Sequence, residues 1–130
     1  MTQPLQSYQL HIHLKADSRL AIGRLGEFDF PAGHYVYTGS AIRNIEARIR
    51  RHLSDGKILR WHIDYLLASP TAKITHIARS CLPECALNQK GLGTVIVPRF
   101  GASDCTSACG SHLKYHGMGR QRGEVPPDHC

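Results

Sequence analysis

Tyr8, Leu10, Ile12 and Leu14 alternate with Gln9, His11 and His13. A side-chain period of two fits a strand with one face buried and the other open. The same pattern returns in the short aromatic and β-branched run Gly33-His34-Tyr35-Val36-Tyr37-Thr38-Gly39, which a glycine closes. From Ser40 the period lengthens: Ile42, Ile45, Ile49 and Leu53 fall three and four residues apart, with Arg48, Arg51 and His52 off that stripe. This predicts an amphipathic helix with a basic flank, ended at Asp55-Gly56. A second helix is expected over Arg60 to Ala68, stopped by Ser69-Pro70. Further strands are expected at Leu20 to Ile22, Lys73 to Arg79 and Thr94 to Val97, with a short helix from Pro83 to Gln89. Gly23 to Gly33 reads as an irregular connection. Strands first, then helices, then mixed elements predict an α+β fold with a small antiparallel sheet.

At 130 residues and 42% hydrophobic content the chain fills one core of ordinary size. We read residues 1–116 as a single domain and residues 117–130 as a loose tail. No apolar run approaches the roughly 20 residues that cross a bilayer, and Met1 to Ser7 lacks the layout of an export signal. A cytoplasmic location without a membrane partner is therefore expected. Five cysteines in such a compartment read as free thiols or metal ligands rather than a disulfide framework.

Sixteen Lys and Arg against ten Asp and Glu give a net charge of +6, and the excess is concentrated. Arg43, Arg48, Arg50, Arg51, Lys57 and Arg60 stand against only Glu46 and Asp55 in that segment. A solvated helix face explains such a run as readily as a polyanionic partner does. What sharpens the reading is position. A strand ending in Gly39 that turns directly into the basic helix brings the Tyr37 hydroxyl toward Arg48 and His52, which are one turn apart. A phosphate there would meet a guanidinium, an imidazole and phenol donors.

With Tyr8-Gln9-Leu10 on one strand, Tyr37-Thr38-Gly39 on another and Arg48 and His52 on the following helix, the sequence resembles the GIY-YIG nuclease superfamily. Trp61-His62-Ile63-Asp64-Tyr65, Phe100-Gly101-Ala102-Ser103-Asp104-Cys105 and Ser111-His112-Leu113 are similar to signatures of its Uri-type branch of small stand-alone proteins. Gln6-Ser7 replaces the usual Gly-Ile, and Thr38 the usual Ile or Val. The resemblance implies a metal-dependent endonuclease acting on DNA, with no obligate protein partner. Arg48 would neutralise phosphate charge, and Glu84 would hold one divalent metal, Mg or Mn, whose preference is for oxygen ligands. Tyr8, Tyr37 and His52 share candidacy as the base; a tyrosine in that role needs nearby cations to lower its pKa. Ser40, Arg43, Arg50, Arg51, Lys57 and His62 are expected nucleic-acid contacts.

Two other classes fit parts of the sequence. One is a nucleic-acid-binding module without catalysis. The other is an interaction protein supported by zinc on Cys81, Cys85, Cys105, Cys109 and His112, although the spacing Cys-x3-Cys-x2-His is not that of a standard finger. Trp61 and Tyr65 fit core packing, and Asp64 fits a buried structural hydrogen bond as well as a phosphate or metal role.

Overall fold

The first alternating run forms β1 (Ser7–Leu14) in a computed structural model that describes residues 5–41, 43–54, 56–90, 93–101 and 111–118. It lies inside a four-stranded antiparallel sheet with β4 (Gly33–Ser40), β5 (Ala72–Ser80) and β6 (Leu113–Tyr115), in the order β5-β1-β4-β6. A separate hairpin pairs β2 (Ser18–Ala21) with β3 (Glu27–Phe30). Three helices follow in chain order: α1 (Ile45–Leu53), α2 (His62–Leu67) and α3 (Glu84–Lys90). The architecture is α+β, as the pattern predicts.

Tyr8, Leu10, Ile12 and Leu14 are all buried, on the face of β1 that packs into the core. Ile49 of α1, Ile63 and Leu66 of α2 and Phe30 of β3 complete that core. Among the described residues no helix is long and apolar enough to cross a membrane.

Several boundaries differ from the sequence pattern. The connection expected between Gly23 and Gly33 holds a 3-10 turn (Gly23–Leu25) and β3. Glu27-Phe28-Asp29-Phe30 does alternate polar and apolar residues, but over only four positions, and the carboxylates of Glu27 and Asp29 meet Arg19 of the opposite strand at 3.3 and 3.0 Å. The strand expected at Thr94 to Val97 is a single bridge from Thr94 to Tyr115. Val97 is instead buried in the core, and Pro98 beyond it has no N–H for a ladder. Helix α1 begins at Ile45 rather than Ser40: Ser40 still belongs to β4, and Asn44, in a left-handed conformation (φ 51°), caps the helix through Oδ1 and the Ala47 N–H. The apolar stripe also rotates at its end, for Leu53 is exposed while His52 is buried.

The two central strands are held in register by an aromatic-glycine pair. Tyr8 stands directly opposite Gly39, and a β-carbon on Gly39 would lie 2.6 Å from the Tyr8 ring and hydroxyl. Gly39→Ala should therefore destabilise the fold by about 1–3 kcal/mol, the usual cost of overpacking. Urea unfolding of the two proteins measures this; equal midpoints would show that the ring does not need the space.

Candidate active site

The strand-turn-helix geometry opens a cleft of about 260 Å³ at one end of the sheet. Tyr8 and Tyr37 supply one wall from β1 and β4, Arg48 and Trp61 a second, and Glu84, Ser40, Gly101 and His112 the remainder. Five of the residues named from sequence, Tyr8, Tyr37, Ser40, Arg48 and Glu84, thus meet on one concave surface.

His52 stands behind that surface. Its Nε2 lies 2.6 Å from the Tyr8 hydroxyl, and Nδ1 has no hydrogen-bond partner among the described residues. Burial drives the His52 pKa down to about 4; Asp64 opposes the shift, while Arg51, Lys57 and Arg48 add to it. The ring is consequently neutral at pH 7. Burial also raises the pKa of Tyr8, against the pull of Arg48, and raises that of Tyr37. The condition for a tyrosine base, a pKa lowered by nearby cations, is not met: one guanidinium does not offset the lost hydration of a buried phenolate.

Arg48 is fixed from two sides. It donates from Nη1 to the Ser40 carbonyl at 3.1 Å and lies 4.6 Å from the centre of the Trp61 ring. Glu84, the first residue of α3, places Oε1 3.2 Å from Nδ1 of the buried His112 and Oε2 3.5 Å from the Ser40 hydroxyl. Its carboxylate therefore faces the cleft, at one end of a chain that continues from His112 Nε2 to the Cys85 sulfur at 3.9 Å.

Several of the other expected contact residues also brace the frame of the cleft. Arg51, read as a phosphate contact, forms a bidentate pair with fully buried Asp64, both bonds 3.0 Å long, and lies 4.3 Å from the Trp61 ring centre. Burial alone would raise the Asp64 pKa, but Arg51 and the N–H groups of Trp61 and Arg60 hold it below the usual carboxylate range. His62, also assigned to nucleic acid, accepts the Gly101 N–H at Nδ1 (2.8 Å) and steadies the loop that floors the cleft. Gly101 has φ 67°, and a β-carbon there would lie 3.0 Å from Tyr37. Lys57 donates to the carbonyls of His52 and Ser54 at the end of α1. Arg43 and Arg50 are exposed.

Trp61, His112 and Gly101 line the cleft although the residue-type argument assigned them to packing, zinc or a turn. Their signal was present in the branch signatures that contain them. Of the cysteines, Cys81 is buried and Cys85 half-buried; Cys105 and Cys109 lie outside the described residues, as do Asp104 and residues 119–130 of the expected tail. Among the described residues no three His, Cys, Asp or Glu side chains gather as a metal shell.

Residues 7–125 match the family described as Domain of unknown function DUF123. The chain belongs to this family. No curated protein and no solved structure matches it. The cleft of this DUF123 domain is thus interpreted from its own chemistry.

The neutral, buried histidines give a pH signature. His11, on the other face of β1, is likewise pushed down to about 4, by burial and then by His76 and His116. In the unfolded chain both rings take up a proton near pH 6.5, whereas the folded protein resists doing so until about pH 4. Their contribution to stability is therefore complete above pH 6.5 and falls as pH drops from 6.5 to 4. Thermal melts across that interval should show a steep decline, and replacing either histidine with glutamine should flatten part of it. A melting temperature independent of pH there would contradict the burial of neutral rings.

Proposed function

We propose that this chain is a GIY-YIG-type endonuclease that hydrolyses phosphodiester bonds in DNA with the aid of one divalent metal, Mg or Mn, and works in the cytoplasm. The convergence of Tyr8, Tyr37, Arg48, Ser40 and Glu84 on one cleft carries this reading. A single carboxylate is sufficient for a hard cation that keeps most of its waters. Glu84 fits that role, because among the described residues Oε2 has only the long Ser40 contact and Glu84 lines the polar cleft. When bound, such a metal supplies positive charge for the phosphate and the departing oxygen.

The chain's own groups account for the rest. Arg48, already oriented by Trp61 and Ser40, neutralises charge on the phosphate as it grows toward the transition state. Tyr8 donates its proton to the free lone pair of His52 Nε2 as its oxygen takes one from water, and the resulting hydroxide attacks phosphorus while the P–O bond to the sugar breaks. The leaving oxygen is protonated from solvent. In this relay no free phenolate forms, which reconciles a tyrosine base with a raised pKa. His52 begins neutral, as the relay requires; burial and the cations Arg51, Lys57 and Arg48 oppose its protonation, and Asp64 offsets them in part. Tyr37 keeps its proton and acts as a hydrogen-bond donor within the cleft.

Arg48→Ala should slow cleavage by on the order of 100-fold or more, the range seen when an electrostatic donor to a transition state is removed. DNA binding should fall far less, because other cations remain. Glu84→Gln should abolish cleavage or demand much more metal. Cleavage rate against Mg concentration, with a thermal melt for each variant, checks both. Normal cleavage by both would remove the proposed site, and unfolding of both would make the residues structural.

A further inference from the structure

Among the described residues five large hydrophobic side chains are exposed, and three of them, Leu53, Ile58 and Leu59, fall within seven residues. Ile58 is the extreme case at 82% exposure. Chain ends and floppy loops often expose such a residue, but this segment is tied down on both sides. Arg51 donates to the Ile58 carbonyl at 2.9 Å with the same guanidinium that grips Asp64 and packs on Trp61. Lys57 folds back on the His52 and Ser54 carbonyls, at 3.2 and 2.6 Å. Through Arg51 the Ile58 backbone is tied to Trp61, which lines the cleft, while the Ile58 side chain is exposed to solvent.

The surroundings select a partner. Exposed Arg60 and half-buried Lys57 lie within two residues of Ile58 along the chain, Arg51 holds the Ile58 carbonyl, and the buried Asp64 is already neutralised by Arg51. An apolar tip with cations beside it suits nucleic acid: cations meet backbone phosphates, and the tip enters between bases. A purely apolar protein partner would leave those charges unpaired and desolvated.

We propose that Ile58 is a wedge that enters the base stack of a DNA duplex beside the cleft and unstacks one step, so that the phosphate at that step reaches Arg48. The inference rests on the reading of the cleft as a DNA-cleaving site, yet unstacking needs no chemistry and is measured apart from it. The experiment uses duplexes carrying 2-aminopurine at successive positions, bound to saturation by the full chain in EDTA, so that nothing is cut. The wild type should raise the fluorescence at one or two positions. Ile58→Ala should bind within about threefold, because phosphate contacts dominate affinity, but lose more than half of that rise, and Ile58→Leu should restore it. An exposed side chain leaves the melting temperature unchanged on truncation, so loss of signal does not reflect unfolding. Binding by the wild type without any rise, or an undiminished rise with Ile58→Ala, would overturn the wedge. Adding Mg to the same complexes tests the other reading separately: a rise without cleavage sinks the nuclease and leaves the wedge, and cleavage without a rise does the reverse.

Discussion

The 2.6 Å contact between the Tyr8 hydroxyl and His52 Nε2 is the interaction on which the cleft depends. Both side chains are largely buried, so this pairing is not readily exchanged for one with bulk water. The contact joins the middle of the sheet to the last turn of α1. Gly39 makes it possible by leaving space for the Tyr8 ring, and Arg48 follows from it, because a helix that points His52 at Tyr8 directs the residue one turn earlier at the cleft.

The basic run of α1 divides into distinct tasks. Arg48 faces the cleft; Arg51 locks α1 to α2 through Asp64 and braces Trp61; Lys57 closes the helix end; Arg43 and Arg50 remain at the surface. Removing Arg51 would leave Asp64 charged and buried, a far larger disturbance than losing a surface cation. A single stretch of positive charge thus contains both the frame of the site and its electrostatics.

How much of this was legible in the sequence follows from how local each signal is. The strands β1 and β4 were plain, since their alternation and closing glycine are properties of a few consecutive residues. The convergence of Tyr8, Tyr37, Arg48 and Glu84 was legible through motif order. The burial of His52 was not: a polar residue beside an apolar stripe turns inward only because Tyr8, 44 positions away, offers its hydroxyl. The partners that Arg51 and His62 take, Asp64 and Gly101, were hidden for the same reason, being recognisable only in three dimensions. Strand β3 was hidden because its alternation, Glu27-Phe28-Asp29-Phe30, runs for only four residues.

The central claim is that Tyr8, backed by His52, receives the proton of the attacking water in phosphodiester cleavage. Single-turnover cleavage of a DNA duplex in Mg by Tyr8→Phe tests it most directly, because the ring still fills the space over Gly39 and only the hydroxyl is lost. The account predicts a fall in rate of about 10²–10⁴-fold, the range for loss of a general base, with DNA affinity retained. Cleavage by Tyr8→Phe at the wild-type rate would contradict it.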